Sequence, residues 1–397
     1  MSGFIERAEN KILAERIRQS RKFIQVIVGP RQVGKTTMVK QVIDSLEMPV
    51  RVYSAENIIL SEDWLEGIWQ AARQEIQTQH YEQMLLVIDE VQKIPNWSEK
   101  IKREWDFDTW NNIPLKVVLL GSSRMMIMNG LTESLAGRFE LIRMTHWTYQ
   151  EMQEAFGWDL QTFIYFGGYP GAADMIEEED RWRSYVQDSL LETAVSQDVL
   201  QTSNVYKPAL LKQLFVLACT YSSEELSLRK VMGQLQDAGN ATTLAAYLQL
   251  LGEANLVCGL QKYAKDTARK YSSSPKFQVY NNALLNVYNS FSFDAARINP
   301  QQWGRQLESA VGAYLLNEAE KHHLQITYWR ENNAEVDYVV EYRGKTIAIE
   351  VKSNGVRTNA GLHIFQEKYH PHAAFVVGDA GIPSDIFLKS DIRQFFQ

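Results

Sequence analysis

The chain has 397 residues, of which 45% are hydrophobic and 22% charged, and a formal net charge of −7. That length suits two or three domains, and the composition excludes a disordered or fibrous chain. The acidic balance excludes a globally basic nucleic-acid-coating protein, so any such contact has to come from local patches. Two cysteines, Cys219 and Cys258, sit in apolar stretches and exclude a disulfide framework. Residues 1–19 are charged throughout and lack the apolar segment of a signal peptide. No apolar run reaches the roughly 18 residues that a bilayer span needs. A cytoplasmic protein without a membrane partner is expected.

Residues 4–20 predict a helix, with Ile12, Leu13 and Ile17 on one side. The β-branched run Phe23-Ile24-Gln25-Val26-Ile27-Val28 then predicts a strand. It enters Gly29-Pro30-Arg31-Gln32-Val33-Gly34-Lys35-Thr36, followed by Thr37. This is the G-x-x-x-x-G-K-[ST] spacing of a phosphate-cradling loop between a strand and a helix. Glycines at the two bends let the backbone wrap a triphosphate closely. The loop N–H groups and the helix N-terminus supply positive potential. Lys35 is placed to reach the β- and γ-phosphates, and the Thr36 hydroxyl to ligate Mg2+. ATP with Mg2+ is therefore the expected cofactor.

A helix over Thr37–Leu46, a strand over Val50–Tyr53 and a helix over 61–83 follow. Met84-Leu85-Leu86-Val87-Ile88 predicts a strand buried on both faces, ending in Asp89-Glu90. Asp89 is a candidate to hold Mg2+, and Glu90 to orient or deprotonate an attacking water. Leu115–Leu120 is a further buried strand, and Ser122, in the Gly121-Ser122-Ser123-Arg124 stretch after it, is a candidate γ-phosphate sensor or part of a simple turn. Arg138, after Leu135-Ala136-Gly137, is a candidate to stabilise transition-state charge, from its own chain or a neighbour's, or to pair with a surface carboxylate.

Residues 150–204 read as helical. Helices over Leu210–Thr220, Ser227–Leu235 and Thr242–Leu251, then a strand over 255–260, give the order of a winged helix-turn-helix. Its third helix offers Thr242, Thr243, Tyr247 and Gln249 but no Lys or Arg, so DNA binding and a structural or protein-contacting role both stay open. Beyond residue 290, a helix over Trp303–Ala319 precedes strands over 325–330, 336–341 and 346–352. Asp337, Glu350 and Lys352 form a D-x12-E-x-K pattern, as in nucleases of the restriction-endonuclease type. Asp337 and Glu350 are candidate metal ligands and Lys352 a candidate catalytic group, with Glu308 a further ligand. The other reading is an ion pair on one strand face. Residues 291–397 carry 13 Asp and Glu against 11 Lys and Arg, an unusual balance for a DNA-cutting domain.

The order of the phosphate loop, Ile88-Asp89-Glu90-Val91-Gln92-Lys93-Ile94-Pro95-Asn96-Trp97, Gly121-Ser122-Ser123 and Leu135-Ala136-Gly137-Arg138 resembles a prokaryotic AAA-type ATPase family. Phe166-Gly167-Gly168-Tyr169-Pro170 and Ser274-Pro275-Lys276-Phe277 also resemble its signatures. Thr145-His146-Trp147-Thr148 and Asn282-Ala283-Leu284 depart from the family pattern, the second by lacking an aspartate. The family joins the ATPase core to a C-terminal domain related to restriction endonucleases. The expected α/β fold therefore has a P-loop AAA-type core over 1–150 and a helical lid or connector over 151–204. A winged-helix-like domain over 205–290 and an endonuclease-like domain over 291–397 complete it. Two functions follow: an ATPase coupled to a magnesium-dependent nuclease, or a switch ATPase whose other domains only bind DNA or a protein. A homo-oligomer and DNA are the suggested partners. The absence of an Asn-Lys-x-Asp pattern argues against GTP.

Overall fold

The computed structural model describes residues 5–56, 63–121, 127–128, 130–131, 134–200, 205–236, 239–264, 273–353, 355 and 360–397. Two compact units divide at Met144. The N-terminal unit alternates α1 (Ala8–Arg18), β1 (Ile24–Val28), α2 (Lys35–Asp44), β2 (Val50–Ser54), α3 (Trp64–Gln79), β3 (Met84–Asp89), α4 (Trp97–Trp110), β4 (Leu115–Leu120) and β5 (Phe139–Arg143). Its five strands are all parallel, in the order β2-β3-β4-β1-β5. The three central strands are buried along nearly their whole length and mostly apolar, because helices cover both faces of a parallel sheet. Edge strand β5, Phe-Glu-Leu-Ile-Arg, is only partly buried, and its mixed polarity hides it from a periodicity reading. Trp69, Leu86, Ile101 and Leu119 fill one side of the sheet. On that side the buried Asp108 accepts from Trp69 Nε1 at 2.7 Å and Arg73 Nε at 2.6 Å.

The C-terminal unit begins with α5 (Tyr149–Phe156), α6 (Leu160–Phe166) and α7 (Glu179–Ser184), followed by wide helical turns over Tyr185–Leu191 and Ala194–Leu200. Thr148 starts α5 with a reciprocal cap: Glu151 N–H donates to its hydroxyl at 3.2 Å, and its own N–H donates to the Glu151 carboxylate at 2.8 Å. Next come α8 (Pro208–Thr220), α9 (Leu228–Gln234), α10 (Ala241–Glu253), β6 (Val257–Lys262) and β7 (Lys276–Val279). Ser227 caps α9 as its sequence predicts, accepting from Lys230 N–H at 3.3 Å, and Asn240 caps α10. The glycine turn read between those helices falls partly on Asp237 and Ala238, outside the described residues.

After α11 (Ala283–Val287) and α12 (Phe293–Ile298), the long α13 (Pro300–His322) precedes β8 (Gln325–Glu331), β9 (Ala334–Tyr342) and β10 (Lys345–Lys352). The chain ends with α14 (Ala360–Tyr369), β11 (Ala373–Gly378) and α15 (Ser384–Lys389). One sheet, ordered β11-β10-β9-β8-β6-β7, runs across the division expected at residue 290 because β6 pairs in parallel with β8. Of the polar residues offered on α10, Tyr247 is buried and its hydroxyl accepts from Lys207 N–H at 3.0 Å. That ring supports the helix and is not available to read DNA.

Asn282, in the stretch where this chain lacks the aspartate of the pattern it resembles, has a structural task. Its buried amide donates to Ile164 O at 2.7 Å and Gln306 O at 2.9 Å, tying α6 to α13. Asn282→Ala should leave two buried carbonyls without these donors and lower unfolding free energy by about 2 kcal/mol or more. Chemical denaturation followed by tryptophan fluorescence measures this; an unchanged midpoint would remove the tie from the stabilising contacts.

Candidate functional site

Strand β1 delivers Gly29 to the carboxyl edge of the parallel sheet, where α/β folds place ligands. The two glycines of the loop have different causes. A Cβ on Gly29 would lie 2.1 Å from the Met144 carbonyl oxygen, so this residue is small because the backbone after β5 passes against it. Gly34 has φ +89°, a left-handed turn into α2 that side chains resist. Val33 is buried beneath the loop, whereas Thr36 and Thr37 stand exposed at the first turn of α2. Arg7, almost fully buried, donates to Val33 O at 3.2 Å and braces the loop from α1's N-terminal side. Nothing in the spacing around Arg7 announces that role.

Lys35 Nζ donates to Gly29 O at 2.9 Å and Pro30 O at 2.7 Å, so the ammonium lies across its own loop. Thr36 Oγ1 donates to Asp89 Oδ2 at 3.1 Å. The two residues proposed from sequence as magnesium holders are thus neighbours. A hydroxyl and a carboxylate converging at a helix N-terminus are hard oxygen donors, and they fit Mg2+. Glu90 sits at φ +55°, a conformation a non-glycine residue adopts at a cost, and one that clusters at functional sites. Its Oε2 accepts from Gln92 Nε2 at 2.6 Å, which orients the carboxylate. Gln92 was visible only as part of a motif. Ser122, the candidate sensor, lies outside the described residues.

Arg138 is not at this edge. It directly precedes β5, and its carbonyl accepts from Ile24 N–H, the first residue of β1. The length of a five-residue strand, roughly 16 Å, separates it from the loop after Val28. Its guanidinium grips Asp106 at 2.7 and 3.0 Å. Action on its own chain's phosphates is therefore corrected by the parallel register: β1 and β5 start at one edge, and the loop lies at the other.

In the C-terminal unit the register joins Asp337 and Glu350. The last paired residues of β9 and β10 are Tyr338 and Ile349, and Asp337 and Glu350 stand one step beyond. Asp337 Oδ2 accepts from Val351 N–H at 2.8 Å. Lys352 Nζ lies 2.7 Å from Glu350 Oε1, while Glu350 Oε2 is buried and has no hydrogen-bond partner among the described residues. Burial, then the neighbouring Asp337 charge, pushes the Glu350 carboxyl up to about 7, with Lys352 opposing. Glu308 is also present, but beside a residue to which the sequence had lent no role. Lys276 Nζ, from β7, lies 2.5 Å from Glu308 Oε1 and 3.8 Å from Asp337 Oδ1, and donates to Asp337 O at 3.1 Å. The four proposed residues are together, with an ammonium among them.

This cluster does not fit a divalent ion as it stands. Lys276 takes up the Glu308 side, and with it in place the ligand atoms of Glu308, Asp337 and Glu350 are not all within 4.8 Å of one another. Among the described residues, the one trio with ligand atoms within 4.8 Å of one another is Glu318, His322 and Asp391. There Arg393 already holds Asp391 at 2.5 Å, and Lys321 lies 3.7 Å from Glu318.

The strand order, the loop and the acidic strand end define a P-loop nucleotide-binding class. Residues 21–153 match the family described as AAA domain, so the N-terminal unit is similar to an AAA-type ATPase domain. Residues 157–295 and 303–385 match two domains of unknown function, DUF8612 and DUF4143. The chain is 25% identical over 356 residues to Uncharacterized protein Rv2008c of Mycobacterium tuberculosis, covering 87% of this chain and 74% of the relative. Among solved structures, a Walker-type ATPase of Pyrococcus abyssi is similar at 13% identity and TM-score 0.46, over 72% of this chain and 96% of that one. RuvB of Thermotoga maritima is similar at 17% identity and TM-score 0.31, over 63% and 86%. Among the described residues, no helix is long and apolar enough to cross a membrane.

Arg138→Ala removes a half-exposed ion pair at the edge remote from the loop. It should cost about 1 kcal/mol or less in stability. Affinity for a fluorescent ATP analogue, titrated at a protein concentration that keeps chains apart, should be unchanged. A tenfold loss there would place the guanidinium near the phosphates of its own chain.

Proposed function

We propose that the N-terminal unit binds ATP with Mg2+ on the loop from Gly29 to Thr37, hydrolyses it, and acts as a switch for the C-terminal unit. The observation that carries this reading is the 3.1 Å contact between Thr36 Oγ1 and Asp89 Oδ2. Mg2+ held by these two groups supplies charge compensation for the phosphate oxygens. The chain's own groups do the rest. Loop N–H groups and the first turn of α2 bind phosphate, and Lys35 turns from the Gly29 and Pro30 carbonyls to the β- and γ-phosphates. Glu90, oriented by Gln92, positions the attacking water and takes its proton. Ser122 follows β4 and serves as sensor in this reading. Arg138, remote from its own loop, acts only on a neighbouring copy, so the active form is a homo-oligomer.

The C-terminal unit is, in this reading, an endonuclease-like module with a winged-helix-like part over α8 to β7, and it binds DNA or a protein partner without cutting. Lys276 inside the carboxylate cluster supports binding over cleavage, and the lack of Lys or Arg on α10 favours a protein partner over DNA. A second reading, magnesium-dependent cleavage of nucleic acid with Lys352 as catalytic group, is favoured by the buried, partnerless Glu350 Oε2 and by Asp337 beside it.

Lys35→Ala should abolish tight ATP binding. Glu90→Gln should bind ATP but hydrolyse it at least about 100-fold more slowly. Phosphate release at wild-type rate from Glu90→Gln would move the water-orienting role to another group. Hydrolysis per chain should rise with protein concentration, and Arg138→Ala should erase the rise. Turnover that stays flat as the protein dissociates would remove action between copies.

Single-stranded, duplex and branched DNA, incubated with Mg2+ with and without ATP, should stay intact. Cleavage that Asp337→Ala or Lys352→Ala abolishes would establish the second reading.

A further inference from the structure

The C-terminal unit buries a charge set that the ATPase reading does not use. Lys276 and Glu350 are each 5% exposed and Asp337 8%. Glu308 and Lys352 complete the set, giving three carboxylates and two ammonium groups. Lys276 reaches it from β7, which packs against α13, the helix that carries Glu308. Its Nζ meets the Glu308 carboxylate, the Asp337 carbonyl and, further off, the Asp337 carboxylate, and lies 4.6 Å from the centre of the Tyr338 ring. Tyr338 is held in turn, its single hydroxyl proton shared between Glu308 O at 2.8 Å and Gln278 Oε1 at 2.9 Å.

Two carboxylates and a carbonyl converging from α13 and β9 are the hard oxygen set that a divalent ion takes. Here they surround an ammonium. Yet the set is not saturated, because Glu350 Oε2 is buried beside Asp337 without a partner among the described residues. A buried acceptor with nothing to accept is costly, and beside a second carboxylate a cation is one group that would satisfy it. With all five groups ionised the cluster keeps one uncompensated negative charge, too little to draw a doubly charged ion in beside a buried lysine.

We propose that Lys276 is a tethered cation that holds the place of a divalent metal in the Glu308–Asp337–Glu350 cluster. While it is present, the cluster takes no Mg2+ or Mn2+; once it is removed, the same oxygens bind one such ion. The proposal goes beyond the ATPase reading and does not depend on it. The burial of Lys276 fits a permanent counter-charge. Burial by itself lowers the ammonium pKa, but the Glu308 carboxylate, with Tyr338 and Asp337, more than offsets that and raises it.

Mn2+ binding to the full chain without nucleotide, followed by electron paramagnetic resonance, tests this. Wild type should show no Mn2+ site that Glu350→Gln removes, and Lys276→Arg, which keeps the charge, should behave alike. Lys276→Met should gain one Mn2+ per chain, at least tenfold tighter than any wild-type binding, and lose it when Glu350→Gln is added. Its Tm should fall relative to wild type and recover with Mn2+ present. A wild-type Mn2+ site that Glu350→Gln abolishes would overturn the proposal, as would folded Lys276→Met that binds no more Mn2+ than wild type. Should Lys276→Met not fold, the wild-type comparison with Glu350→Gln still decides. ATP affinity, measured on each variant, keeps failure of the ATPase reading separate from failure of this one.

Discussion

Five strands running the same way place their carboxyl ends along one edge, and the candidate nucleotide site depends on that edge. Gly29 follows β1 and Asp89 ends β3, with β4 between them, so the two strands are two sheet spacings apart, about 10 Å. The loop and the first turn of α2 cross that gap and carry Thr36 to Asp89. Strand β4 beneath the crossing is followed by Gly121, where a Cβ would meet Gln92 Oε1 at 2.1 Å. The same direction rule removes Arg138, because a residue before β5 belongs to the opposite edge. One constraint therefore assembles some candidate residues and separates another.

In the C-terminal unit the governing constraint is charge burial. An ionised group removed from water needs a counter-charge or hydrogen bonds, and each buried charge here has found one or left a visible defect. Lys276 is matched by Glu308 and Asp337, Glu350 is half matched by Lys352, and its second oxygen is the defect. Polar amides do comparable work nearby. Asn286 donates to Tyr165 O and Gln306 Oε1, both at 2.7 Å, and Asn282 holds the neighbouring carbonyls. The carboxylate cluster is thus set among largely satisfied polar groups, although among the described residues Asn282 Oδ1 and Trp182 Nε1, like Glu350 Oε2, are buried without a partner.

Much of this was legible in the chain. The helices and central strands follow from periodicity, and Ser227 occupies the cap its position suggests. The exceptions have local causes. Strand β5 escaped because an edge strand need not be apolar throughout. Tyr247 looked like a surface polar residue, but its ring is buried and only its hydroxyl seeks a partner. Gly29 was read as making room for phosphate, whereas the close neighbour is the Met144 carbonyl.

By itself, the sequence determined the phosphate loop, the acidic strand end and the D-x12-E-x-K pairing. In each, the chemistry rests on a short stretch or a hairpin whose geometry follows from local backbone rules. Only the tertiary structure decided that Arg138 lies at the wrong edge, that Arg7 braces the loop, and that Lys276 enters the carboxylate cluster. Lys276 and the Asp337 carbonyl it meets are 61 residues apart. Their meeting depends on strand order and on how β7 packs against α13, and such long-range closure leaves no spacing in the chain to read.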